Sequence, residues 1–217
     1  MPKVDDAHRE ARRQQVLDAA IACFARTGFH QTSMADILQE AGLSAGAVYS
    51  YFSGKDEIIA AVAESRHRQE AQLNAAATAH ADPIEALHRL ARAYAGWMFD
   101  PSAAGKLRRR VGVQSWAEAL HSPEIRAQVL RGLSAAKDAL GALIRRAQAD
   151  GRIAAAFDPE ALARAMVALF QGFVLQLAWD EQAADRDTHL AAVEGLLAAI
   201  TRDPRRGAAH GRERRPH

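Results

Sequence analysis

Between Thr32 and Lys55 the chain gathers hydroxyls, phenols and one ammonium at spacings that suit a polyanion. Thr32 and Ser33 stand at the start of a short helix predicted over 34 to 41, where unpaired N–H groups and the helix dipole attract a phosphate. Ala41-Gly42-Leu43 reads as a tight turn, and Ser44 as the cap of a second short helix over 45 to 51. Ala45, Gly46 and Ala47 keep the outer face of that helix slim, as entry into a DNA major groove about 12 Å wide requires. Tyr49, Tyr51 and Lys55 follow, spaced so that two phenols and an ammonium could reach backbone oxygens of a duplex. Arg9, Arg12 and Arg13 lie close by in sequence. Residues 1 to 55 hold six basic and six acidic side chains, so these arginines read equally well as a solvated face.

Other reactive constellations are thin. Glu64-Ser-Arg-His67 and Glu85-Ala-Leu-His88 are two Glu-x-x-His pairs on successive helices, the spacing of di-iron carboxylate bundles. Such a site needs two further inward glutamates, which the sequence does not place, and Glu64 and His67 sit among Arg66, Arg68 and Glu70 as on a wet face. No signature marks a nucleophile with its base and orienting group, and no glycine-rich phosphate loop occurs. The expectation is therefore a protein that is not an enzyme and has no catalytic residues, no metal ligands and no cofactor. A di-iron bundle enzyme and a helical adaptor that does not bind DNA are the rival readings. Cys23 is the sole cysteine, which excludes an internal disulfide, and its place beside Val16, Ala20 and Phe24 suits a small buried hydrophobe.

These residues need a scaffold, and the pattern that supplies it is helical throughout. Alanine is abundant, β-branched residues are sparse, and apolar residues recur at spacings of three and four. The 217 residues are enough to bury a sizeable core. Asp82-Pro83, Ser122-Pro123-Glu124 and Asp158-Pro159-Glu160 each set a capping side chain before a proline at the first helical position. Ser33 with Asp36 and Ser53 with Asp56 match the capping-box spacing, and Gly28, Gly42, Gly105 and Gly151 read as stops. The resulting map is all-α, with about nine helices at 9 to 27, 34 to 41, 45 to 51, 54 to 79, 83 to 99, 106 to 120, 123 to 149, 159 to 181 and 188 to 201.

Charge is unevenly placed along this map. The formal net charge is +2 and the pI about 8.9, yet residues 202 to 217 carry six arginines against Asp203 and Glu213. That tail holds +4 and the rest of the chain −2. Rich in Arg, Gly and Pro, it is expected to be a basic, disordered end. The start of the chain has no apolar signal-peptide core, and the longest strongly apolar uncharged run, 165 to 179, falls short of the roughly 20 residues of a membrane span. A soluble cytoplasmic protein with no membrane partner is expected.

The run Thr32-Ser-Met-Ala-Asp-Ile-Leu-Gln-Glu-Ala-Gly-Leu-Ser-Ala-Gly-Ala-Val-Tyr-Ser-Tyr-Phe-Ser-Gly-Lys55 resembles the DNA-binding segment of the TetR family of bacterial transcriptional regulators. The preceding stretch from Val16 to Phe29 is similar to that family's first helix. The specific match covers about residues 10 to 70, and the remainder agrees only in helical layout. The resemblance implies an N-terminal three-helix helix-turn-helix unit over 10 to 70, followed by a larger helical ligand-binding and dimerisation domain over 83 to 201. It implies phosphate contacts from Thr32, Ser33, Tyr49, Tyr51 and Lys55, and recognition by the helix that starts Ser44-Ala45-Gly46. Many relatives have long polar side chains where this chain has Ala35 and Ala45, so bidentate base readout is absent from both positions. Specificity is then expected to lean on Ser44, Tyr49, methyl contacts with thymine and DNA deformability.

The resemblance further implies a homodimer through the helices at 159 to 181 and 188 to 201, whose apolar arcs are wider than one packed face needs. Gly172 and Gly195 would permit close approach of backbones. The two recognition helices would then meet half-sites one helical turn, roughly 34 Å, apart. It implies a ligand cavity in the C-terminal helices, for which Trp97, Gln114, Trp116, Phe170 and Gln171 are candidates and a small apolar or aromatic effector the expected occupant. The function implied is a sequence-specific repressor released from operator DNA by that effector.

Overall fold

In a computed structural model, residues 3–182 and 185–201 are described; the basic tail at 202 to 217 lies outside them. Among the described residues there are nine helices and no strand: α1 Lys3–Gln31, α2 Met34–Ala41, α3 Ala45–Tyr49, α4 Lys55–Thr78, α5 Pro83–Met98, α6 Ala103–Glu118, α7 Pro123–Ala149, α8 Pro159–Trp179 and α9 Arg186–Ile200. An isolated antiparallel bridge joins Ile153 and Thr201.

Side-chain caps fix most of the ends. Ser33, Ser44, Asp82, Ser102, Asp158 and Asp185 each accept from a backbone N–H in the first turn of the helix that follows. Two readings of the sequence are corrected here. Gly105 does not stop a helix: Ser102 caps α6 and accepts from the Gly105 N–H at 3.0 Å, so the glycine lies in the first turn. The capping box read between Ser53 and Asp56 is replaced by a one-sided contact, because α4 begins at Lys55: the Glu57 carboxylate accepts from the Ser53 N–H at 2.7 Å and from its hydroxyl at 2.8 Å.

The chain divides into two compact units. The first lies within Met1–Gln69 and Pro101–Arg131. Its core joins Val16, Leu17, Ala20, Cys23 and Phe24 of α1 to Ile37 of α2, Val48 of α3, Phe52, Ile58 of α4 and Val111 of α6. The residues at 16, 20, 23 and 24 make one inward stripe of α1, and each large side chain buried there contributes about 1.5–3 kcal/mol. Compactness thus groups α6 with the N-terminal helices, whereas the sequence map assigns it to the C-terminal domain. The helical geometry of α1 breaks at Gly28, with φ +82° and ψ 168°, which lets Phe29 turn in and pack on Phe24 at 4.9 Å.

The second unit lies within Glu70–Asp100 and Gly132–His217. Its core comprises Ile84, Leu87 and Leu90 of α5, Leu143, Ile144 and Ala147 of α7, Ile153, Ala163 of α8 and Leu197 of α9. Arg92 ties α5 to α9, with one guanidinium nitrogen 2.9 Å from Glu85 and the other 3.2 Å from Glu194. Glu85 also receives Arg89 at 3.1 Å, and His88 lies 3.9 Å from Glu194. Glu85, from one half of the di-iron pattern, belongs to this ion-pair network, and His88 lies at its edge. The α8 helix is long and apolar enough by length and composition to cross a membrane, unlike the shorter uncharged run measured on the sequence, but only 17% of its apolar window is buried within the chain.

Candidate nucleic-acid interface

The surface that could meet a duplex is built by α2, the turn at Gly42 and α3. Ile37 and Val48 are fully buried and anchor the two helices to the α1 stripe. Gln15 donates from Nε2 to the Ala41 carbonyl at 2.8 Å, and Arg26 pairs with Glu40 at 2.7 Å, so α1 grips the end of α2 as well. Gly42 adopts φ +62° and ψ 29°, and its N–H closes on the carbonyls of Leu38 and Gln39, the left-handed termination that glycine adopts without steric cost. The N-terminus of α2 carries a complete capping box. Asp36 N–H donates to Ser33 Oγ at 3.2 Å while the Asp36 carboxylate accepts from the Ser33 N–H at 2.8 Å and hydroxyl at 2.7 Å. Those donors hold the Asp36 carboxyl below the usual carboxylate range, the backbone N–H contributing most.

Five of the eight anticipated contact residues lie exposed on this one surface: Ser33, Ser44, Ala45, Gly46 and Tyr49, the last with half its area open. Ala35 is exposed on α2 as well. α3 itself is shorter than anticipated and ends at Tyr49, but its hydrogen bonding continues as a turn through Phe52, whose N–H bonds to the Val48 carbonyl at 3.1 Å. Tyr51 leans half-buried on the core with the Arg9 guanidinium 6.0 Å from its ring centroid.

Two of the anticipated phosphate ligands make hydrogen bonds within the protein. Thr32 is 1% exposed; its hydroxyl donates to the Gly28 carbonyl at 2.7 Å and lies 2.9 Å from the Thr27 hydroxyl. The freed carbonyl at the Gly28 break needs a donor, and Thr32 is the group that reaches it. Lys55 directs its ammonium to the carbonyls of Phe29 at 2.8 Å, Thr32 at 3.0 Å and His30 at 3.4 Å. A cation at the negative end of a helix whose last carbonyls lack partners is electrostatically favoured. Arg13 stacks on the Phe52 ring at 5.3 Å and Arg12 bonds Gln15 at 2.9 Å, so the arginines of α1 also serve the unit's interior edge.

The effector candidates are divided between the two units. Trp97 and Phe170 come together in the second, 5.9 Å between ring centroids, with Gln171 half-buried next along α8. Gln114 and Trp116 lie on α6 in the first unit, where the buried Oε1 of Gln114 has no hydrogen-bond partner among the described residues. Sequence reasoning missed His189 and Asn74, both buried polar residues of the second unit. The signal for His189 is available: it stands four and eight residues before Val193 and Leu197, on the inward stripe of α9.

Comparison with known proteins agrees with this geometry. Residues 16–62 match "Bacterial regulatory proteins, tetR family" and residues 87–202 match "BetI-type transcriptional repressor, C-terminal". The regulator BetI of Yersinia pestis (strain Pestoides F) is 34% identical over 128 residues, 58% of this chain and 62% of BetI. Matches to other curated regulators span about a third of their lengths. SmeT, the repressor of the Stenotrophomonas maltophilia multidrug efflux pump SmeDEF, solved as a triclosan complex, superposes with TM-score 0.74 at 27% identity, covering 89% of this chain and 93% of SmeT. A transcriptional regulator from Saccharomonospora viridis in complex with choline shares the fold, with TM-score 0.76 at 22% identity over 89% of this chain and 100% of that one. The capped α2–Gly42–α3 surface and the two matches, which together account for most of the sequence, establish that this chain belongs to the TetR family of transcriptional regulators.

Proposed function

We propose that the chain is a homodimeric, cytoplasmic repressor that binds operator DNA through α2 and α3 and is released by a small, largely apolar or aromatic effector. The observation that carries the DNA-binding part is the exposed, slim face of α3, Ala45 and Gly46 beside Tyr49, held out by the fully buried Val48. On this reading Ser33, Ser44 and Tyr49 meet the duplex directly, with Ala35 and Ala45 offering methyl groups to thymine. Thr32 and Lys55 hold the loop that presents Ser33, and Tyr51 buttresses α3.

Dimerisation is supported by what α8 and α9 leave uncovered. Leu169, Trp179 and Leu196 are 46%, 76% and 54% exposed, and a methyl group added at Gly172 or Gly195 would meet nothing within 4 Å. These two helices are the proposed two-fold interface, which would present a pair of recognition helices to half-sites roughly 34 Å apart. The effector part draws on the relatives: the structure of SmeT holds triclosan, and the half-buried rings of Trp97 and Phe170 suit a flat apolar body. Release follows if the effector prefers a conformation in which the dimer's heads no longer fit the operator, by no more than its differential affinity for the two states. No catalytic step enters this reading.

The test is selection of bound fragments from genomic DNA, followed by affinity measurement across a salt series. A palindromic site bound with a steep logarithmic salt slope is the expected result, and retention no better than that of random DNA would refute it in favour of a helical adaptor. A strongly discriminated guanine opposite Ala35 or Ala45 would overturn the methyl-based account of specificity.

A further inference from the structure

The second unit holds two neighbouring ring clusters, joined along α8, and the second of them contains a buried imidazole. Phe170 of α8 meets Tyr94 at 4.9 Å and Trp97 at 5.9 Å between ring centroids. One turn along α8, Phe173 stands edge-on to His189 of α9 at 3.6 Å, and Phe99 lies 5.2 Å from the same imidazole. All five aromatic residues are half-buried, none of them sealed in the core. The Tyr94 hydroxyl is engaged, donating to Oδ1 of the buried Asn74 at 3.1 Å. His189 is different: it is 7% exposed, and its Nε2 is shut off from solvent with no hydrogen-bond partner among the described residues. An unpaired buried nitrogen carries a desolvation penalty that a phenylalanine or leucine would avoid.

We infer that this cluster is a binding site for an uncharged, flat aromatic molecule bearing one hydroxyl, its body against the rings of α5 and α8 and its hydroxyl paired with His189 Nε2. The inference rests on the effector reading above and adds to it the residue that selects the ligand. Burial pushes the imidazole pKa down, so the group is neutral at pH 7 and offers no charge to a carboxylate. A quaternary ammonium is drawn to ring faces, but its charged centre has neither donor nor acceptor for Nε2. A hydroxyl both donates and accepts, and therefore satisfies either tautomer of the ring.

The experiment uses the full chain and three probes: 2-naphthol, 2-methylnaphthalene, which has the same shape without the hydroxyl, and tetramethylammonium. Binding is followed by tryptophan fluorescence at pH 7.5. The wild type is expected to prefer 2-naphthol over 2-methylnaphthalene by about tenfold, the worth of one net hydrogen bond. His189→Phe should erase that preference by weakening 2-naphthol alone, while unfolding at an equal or higher temperature without ligand. His189→Gln, whose amide reaches toward the same point, should keep most of the preference. Undiminished 2-naphthol binding in His189→Phe, preferential binding of tetramethylammonium, or no binding of either naphthalene to the wild type would each overturn the site. Operator release by a panel of unrelated small molecules reads the broader effector proposal separately, since release there would stand even if all naphthalene results failed.

Discussion

The ammonium nitrogen of Lys55 lies 2.8 Å from the carbonyl oxygen of Phe29, so the first residue of α4 closes the frayed end of α1 and fixes the segment that leads into α2. With bonds to the carbonyls of His30 and Thr32 as well, its donors are all engaged within the protein. Lys55→Met should therefore destabilise the fold by about 1.5 kcal/mol, the low end for charge-assisted bonds because the group is half-buried. It should weaken operator binding without altering the salt dependence. A slope reduced by about 0.9 in Lys55→Met would mean that a phosphate contact had been lost and that the lysine faces DNA.

Acid should loosen the helix starts. The Asp36, Glu57, Asp82 and Asp185 carboxyls all sit below their ordinary range, chiefly through N–H donors of Ser33, Ser53 and Glu85 for the first three and the Thr188 side chain for the last. A carboxylate with a lower pKa folded than unfolded stabilises fully above the unfolded value, about 4, and loses that contribution as pH falls through the folded value. Thermal unfolding should thus weaken steeply below about pH 4. In Asp36→Asn combined with Glu57→Gln the wild type's acid limb should flatten, and an unchanged limb would contradict the capping account.

A separate loss should begin at higher pH. His189 has a pKa lowered by burial, so the unfolded chain takes up its proton first as pH falls through about 6.5, and stability declines below that point. Comparing unfolding temperatures at pH 7.5 and 5.5 isolates this term, because His189→Phe should show a smaller drop than the wild type.

The helix-turn-helix was legible in the sequence because its ends are written in local chemistry: Ser33 and Asp36 bond each other, Ser44 caps α3, and Gly42 supplies a left-handed residue. What was not legible depends on partners far along the chain. The internal bonds of Thr32 and Lys55 could not be read locally: after the break at Gly28, Thr32 reaches the Gly28 carbonyl and Lys55 the carbonyls of Phe29 and Thr32, 26 and 23 residues away. Gly105 has the composition of a stop, yet Ser102 three residues earlier had already begun the helix. Residue type alone marks the effector candidates, and it cannot reveal that Gln114 and Trp116 belong to a different compact unit from Trp97, Phe170 and Gln171.

Gly42 offers a clean backbone test. A Cβ there would meet no atom within 4 Å, so Gly42→Ala perturbs only the left-handed backbone, at φ +62°. The cost should be about 1 kcal/mol, and Gly42→Asn should cost less, because asparagine tolerates that region better. Equal unfolding temperatures for wild type and Gly42→Ala would mean that the turn relaxes when substituted.

The apolar faces of α8 and α9 give the sharpest prediction about assembly. Leu196 is 54% exposed on α9, and Leu130 on α7 is 55% exposed, so the two leucines are matched in accessibility but differ in whether they lie on the proposed interface. A glutamate at position 196 would have to be desolvated against the partner's apolar surface, a cost of several kcal/mol for an unpaired charge. Leu196→Glu should run as a monomer by light scattering at micromolar concentration and lose most of its operator affinity, since one reading head forfeits the effective concentration supplied by the other. Leu130→Glu should remain dimeric and bind normally. A dimeric Leu196→Glu, or a monomeric Leu130→Glu, would move the interface away from α8 and α9.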